Sequence, residues 1–139
     1  MKKIMMTMAM IVTIATSAAA MTFNEAREHD LFLTDKMTYE LGLNAAQANN
    51  VYEINFDYIL AVAIQGERPS VCQSRRDADM RYVLSDYQYH LYKKTNYFYR
   101  PMMSSKNVWY LHIYYYYTAR QHMYSSKPTH FKDYKGPAN

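Results

Sequence analysis

The stretch Leu41-Gly42-Leu43-Asn44-Ala45-Ala46-Gln47 stops one helix and starts the next. Gly42 offers the left-handed position at which helices end. Asn44 and Gln47 have the spacing of a capping box, in which each side chain satisfies a free backbone N–H near the other, and Leu43 stands where it can pack on the first turn. A chain that stops and restarts within so few residues must fold back on itself, so a helical hairpin is predicted.

Upstream, Asn24 to Leu41 contains neither Gly nor Pro, and Ala26, Leu33, Met37 and Leu41 fall on one helical face. Thr22 and Glu25 form a second cap spacing, and Glu25, Glu28 and Asp30 sit early, where the helix dipole favours acids. Downstream, a helix carrying Val51, Ile54, Tyr58 and Ala61 or Val62 is expected to reach about Gln65 and to be ended by Gly66 and Pro69. Ser70 and Gln73 repeat the cap spacing before a basic helix with Arg75, Arg76 and Arg81, in which Cys72, Met80 and Val83 lie along one side. A fourth start follows at Leu84-Ser85-Asp86-Tyr87-Gln88, with Ser85 and Gln88 as the box and Leu84 and Tyr89 at the staple positions. That helix, with Leu91 and Phe98, must end before Pro101, which disfavours helical geometry at Arg100.

Beyond Pro101 the pattern changes. Residues 108 to 117, Val-Trp-Tyr-Leu-His-Ile-Tyr-Tyr-Tyr-Tyr, are aromatic and β-branched without a breaker, so a strand is predicted, with a short partner strand near His130 to Tyr134. The predicted fold is mainly α: about four short helices in hairpins, with a C-terminal aromatic β extension that makes the class α+β overall. The helical domain spans 21–100, and the Tyr-rich extension, 101–139, packs on the same domain.

The chain has 139 residues, enough for one small domain, and only 3 glycines, so it has no Gly-rich phosphate loop. Lys2 and Lys3, the apolar run from Ile4 to about Ala15 and the small residues Ala18-Ala19-Ala20 read as a secretory signal peptide cleaved after Ala20. The run is too short for a membrane span, so none is expected after cleavage. Export to the periplasm is the expected destination, with the cell surface or the medium as alternatives. Cys72 is the single cysteine, which excludes an intramolecular disulfide. Residues 21 to 67 hold 2 basic and 8 acidic side chains, while residues 68 to 139 hold 12 basic and 4 acidic. The two halves are expected to pack against each other or to present opposite faces to water, and with no Lys/Arg run longer than two, nucleic acid is not an expected partner.

The Leu43–Gln47 and Leu84–Gln88 segments resemble the two LTxxQ motifs of the small periplasmic proteins of the Spy and CpxP type. Asn44 and Ser85 stand where those motifs have threonine. Lys36 to Leu41, Val51 to Asn55 and the basic run from Arg75 to Leu84 also look like that group, so the resemblance covers about residues 24–99 and not the tyrosine-rich remainder. It implies a cradle-like or hairpin helical fold, often dimeric, that binds unfolded clients without ATP or senses envelope stress.

No constellation reads as catalytic, and neither an enzyme nor a cofactor is expected. A metal site from His112, His122 and His130 is conceivable only if two tail strands bring them together. Of the 16 tyrosines, 13 lie from Tyr82 onward. They can pack a short sheet on the helices, form an interface through a strand edge, or make a sugar-stacking platform with Trp109. The candidate binding surface is Arg75, Arg76 and Arg81 with Trp109, Tyr110, Tyr115 and Tyr117, and Lys93, Lys94 and Arg100 continue its interleaving of cations and rings. The expected function is a non-enzymatic binding protein, a chaperone or stress-related protein of the periplasm acting on unfolded or envelope proteins. The alternative is an envelope assembly protein that associates, for instance as a homodimer, through its aromatic strand.

Overall fold

Three capping boxes set the helix starts in the structure, a computed structural model that describes residues 21–106 and 108–117. Helix α1 (Phe23–Leu41) begins at Thr22, α2 (Ala45–Ile59) at Asn44, and α4 (Asp86–Lys94) at Ser85, each with its reciprocal bond from the third helical residue. Gly42, at φ 67° and ψ 46°, ends α1, and the Leu43 N–H reaches back 3.1 Å to the Thr38 carbonyl. Left-handed geometry of that kind is inexpensive only without a Cβ. The α1–α2 hairpin follows, and the fold is mainly α with a small antiparallel sheet, as the sequence predicts.

Helix α2 continues into a π turn at Leu60–Ile64, where the Gln65 N–H bonds the Leu60 carbonyl at 2.8 Å. The wider turn admits an extra residue, so Ala61 and Val62 are both buried rather than one of them. Helix α3 (Pro69–Val83) differs from expectation at its start. Arg68 is the cap residue, Pro69 occupies the first turn, and Ser70 lies inside the helix without closing a box with Gln73. Proline is well placed there because its missing N–H would have had no intrahelical partner. The last predicted helix is split: α4 stops at Thr95, whose hydroxyl bonds the Leu91 carbonyl at 2.8 Å, and α5 (Asn96–Tyr99) forms one further turn.

The aromatic strand is shorter than predicted. Strand β1 (Met102–Ser105) pairs antiparallel with β2 (Val108–Leu111), placing Met102 opposite Leu111 and Ser104 opposite Trp109. The connection passes through Lys106 at φ 53°. The partner strand is thus Met102–Ser105, and the segment His130–Tyr134 lies outside the described residues. After Leu111 the chain turns into a 3₁₀ segment, His112–Tyr115, which buries Ile113 completely. Its roughly three-residue period brings Tyr114 and Tyr117 toward α1 together, which a strand's alternation would not allow.

Helix α1 is the central element. Ala26, Leu33, Met37 and Leu41 are buried as expected, but so are Asp30, Thr34, Asp35, Lys36 and Thr38. The first set packs with α2. The aromatic segment covers another side: Tyr114 lies 4.7 Å from the Phe32 ring and Tyr117 bonds Glu40. Each large apolar side chain buried this way contributes about 1.5–3 kcal/mol. Among the described residues no helix is long and apolar enough to cross a membrane.

Candidate binding surface and its buried arginine

Helix α3 divides the predicted basic residues between two environments. Arg75 and Arg81 face outward, Arg75 3.3 Å from Glu67 and Arg81 4.0 Å from Asp86. Arg76, expected on the same surface, is instead 2% exposed and belongs to the core. Its position next to Arg75 puts it about 100° around the helix, toward α2 and α4.

The guanidinium of Arg76 is held by neutral groups. Its Nε and Nη2 donate to Asn55 Oδ1 at 3.0 and 2.8 Å, and its Nη1 donates to the Tyr92 hydroxyl at 3.0 Å and the Phe98 carbonyl at 2.9 Å. The rings of Tyr58 and Tyr92 lie within 5.3 Å of the guanidinium carbon. Five donors in a rigid fork can meet this many acceptors, which an ammonium could not. The network extends both ways. Tyr92 donates to Asp77 Oδ1 at 2.8 Å, while Asn55 Nδ2 donates to Thr34, and Thr34 donates to Asp30 Oδ1 at 2.8 Å. Asp30 is fully buried, and its Oδ2 has no hydrogen-bond partner among the described residues. Burial pushes its carboxyl well above the usual carboxylate range, against the opposing effects of Thr34 and Arg76.

Tyr92 also supports a surface array. Its ring packs 5.7 Å from Tyr89 and 5.8 Å from Tyr99. Outside these rings, Arg81 lies over Tyr89 at 4.9 Å, Lys93 over Tyr89 at 5.8 Å and over Tyr99 at 4.6 Å, and Arg100 over Tyr99 at 5.1 Å. Three cations therefore alternate with two rings across α3, α4 and the end of α5. Among the described residues Lys93, Lys94 and Arg100 have no carboxylate at ion-pair distance. The basic members are evident in the sequence; the position of Tyr99 beside Lys93 and Arg100 is not, because it depends on the break at Thr95.

The aromatic candidates separate as well. Tyr117 turns inward and donates to Glu40, which also accepts from the Tyr97 hydroxyl at 2.9 Å. Burial, with the Glu40 carboxylate, pushes the Tyr97 phenol up to about 12 and the Tyr117 phenol higher still. At the other end of the same helical stripe, His29 Nδ1 is 2.8 Å from the Tyr114 hydroxyl, and desolvation lowers the His29 pKa. The stripe His29, Phe32, Lys36 and Glu40 was readable from its spacing, but nothing in the sequence showed that tyrosines would cover it. Tyr115 stays outside, 71% exposed, and Tyr110 is half-buried 6.2 Å from its ring.

Trp109 is half-buried and lines a cavity of about 390 Å³ with Arg100, between the hairpin and the first turn of α3. A second hollow, of about 310 Å³, includes Glu53, Asp79 and the exposed Tyr82. Cys72 is buried, and burial raises its thiol pKa, so it is a core residue rather than a reactive one. Among the described residues no cluster of His, Cys, Asp and Glu can hold a metal ion, and His122 and His130 lie outside them. Leu43 and Leu84 are buried beside the caps they precede. No family model matches the chain, and comparisons with curated proteins and with solved structures return no match.

Proposed function

We propose that the protein is an exported, non-enzymatic binding protein that holds unfolded polypeptide segments in the periplasm without nucleotide. The array of Arg81, Tyr89, Lys93, Tyr99 and Arg100 supports this reading most directly. Cations lying over rings lose less freedom when a partner arrives than free side chains do, and rings between charges suit segments that mix acidic and aromatic residues. The resemblance of the two capping segments to LTxxQ motifs points the same way.

The test is light scattering from a chemically denatured client diluted into buffer with the purified protein. Scattering is expected to fall with added protein, and to fall less with Arg81→Ser and Lys93→Ser together. An unchanged aggregation curve at several-fold excess would remove the proposal.

The alternative, assembly of an envelope structure through the aromatic extension, draws support from Met103, Val108 and Tyr115, which are 37%, 45% and 71% exposed. It predicts a dimer or larger species by light scattering that Tyr115→Lys dissociates.

A further inference from the structure

The cavity beside Trp109 carries a set of groups that, Arg100 apart, the client-binding reading does not use. It is lined by the apolar or aromatic Tyr58, Met102, Met103 and Trp109 and by the polar Ser70, Gln73, Ser104 and Arg100. Trp109 and Ser104 face each other directly across the two strands. Arg100 brings a cation with no carboxylate at ion-pair distance among the described residues. Gln73 is 8% exposed, and its Nε2 donates to Asp77 Oδ1 at 2.9 Å. No described residue donates to its Oε1, and the hydroxyls of Ser70 and Ser104 bond no described residue.

The unused groups define a ligand. The amide oxygen of Gln73 has no donor and favours a partner that brings a hydroxyl, because an oxygen cut off from water on binding and left unpaired costs about 1–3 kcal/mol. An aliphatic acid would satisfy Arg100 and cover Trp109 but leave Gln73 and both serines unmatched. A neutral sugar would match the oxygens and leave Arg100 without its counter-charge. A hydroxylated ring bearing a carboxylate answers all of them, and about 390 Å³ accommodates one such unit. We propose that this cavity binds an acidic sugar, a uronic acid unit of a saccharide. Its carboxylate meets Arg100, its hydroxyls meet Ser70, Gln73 and Ser104, and its apolar face lies on the Trp109 indole. The site shares Arg100 with the client-binding array and none of its other members, so the Arg81→Ser and Lys93→Ser test leaves it untouched.

Trp109 is the only tryptophan in the chain, so emission from the full-length protein reports on this cavity alone. Titration with glucuronate and with short galacturonate oligomers is expected to give a saturable change. Glucose and hexanoate should bind about tenfold more weakly or worse. Arg100→Gln should weaken uronate binding by at least about tenfold while the thermal midpoint is retained. Ser104→Asp, at an exposed strand position, should do the same by repelling the carboxylate, and it decides the matter if Arg100→Gln does not fold. No saturable change with any uronate, equal binding of hexanoate and uronate, or unaltered binding by the folded variants would each overturn the proposal.

Discussion

The side-chain amides of Gln47 and Gln88 are bonded to each other, Gln47 Nε2 to Gln88 Oε1 at 2.8 Å and Gln88 Nε2 to Gln47 Oε1 at 3.3 Å. Each also completes its own capping box and reaches the other turn: Gln47 donates to the Val83 carbonyl, and Gln88 donates to those of Leu41 and Gly42. Two local helix starts are thereby joined into one long-range tie between the hairpins. Either Gln→Ala change should cost about 1–2 kcal/mol in urea unfolding. The double variant should cost less than the sum by about 0.5 kcal/mol or more, because the second change removes a bond already lost. Strict additivity would show that the amides act only as separate caps.

Arg76 and its neighbour Arg75 should behave oppositely. Removing Arg76 leaves Asn55 Oδ1, the Tyr92 hydroxyl and the Phe98 carbonyl without their shared donor inside the core. Arg76→Ala should therefore cost about 3 kcal/mol or more, and Arg76→Lys should recover little of it, since an ammonium cannot reproduce the fork. Arg75→Ala, at an exposed pair, should stay within about 0.5 kcal/mol. Equal effects in denaturant titrations would mean that Arg76 is not the centre of the network.

How far the sequence could be read depends on range. The caps at Thr22, Asn44 and Ser85 were legible because a box is a local pattern of three residues' separation. The burial of Arg76 was not, because its acceptors come from residues 55, 92 and 98 and no spacing within α3 announces them. The strand prediction failed after Leu111 for a related reason. Aromatic residues favour strands by propensity, but burial of Ile113 and the tyrosine hydroxyls' bonds to His29 and Glu40 favour the turn. The site was legible only as composition: cations and rings were expected together, whereas the cavity at Trp109 required the hairpin with Met102–Ser105.

His29 and Asp30 are adjacent and should give opposite pH dependences. His29 has a folded pKa below its ordinary 6.5, so its contribution is full above that value and is lost as pH falls through the lower folded pKa. Asp30 has a folded pKa raised well above 3.8, so its contribution is full below that value and is lost as pH rises through the folded pKa. Asp30→Asn should therefore stabilise the protein increasingly toward alkaline pH, and His29→Gln should flatten the loss below neutrality. Thermal midpoints measured across pH would refute this if the two variants kept the parent's profile.

The aromatic end can be divided by two alkaline and mutational measurements. Tyr97, with its phenol pushed up to about 12 against an ordinary 10, keeps its full stabilising contribution below the ordinary value and loses it as pH rises through the folded one. Glu40→Gln removes the carboxylate that disfavours phenolate, so ultraviolet titration should show tyrosine ionising at lower pH than in the parent. In the same segment Ile113→Ala should cost about 2–5 kcal/mol, because Ile113 is fully buried, and Tyr115→Ala should stay within about 0.5 kcal/mol, because that ring is 71% exposed. These outcomes separate a covering role from an associating one. A segment bound to α1 resists change at Ile113 and Glu40, whereas association through the outer face is sensitive at Tyr115 and should appear in light scattering with the fold intact.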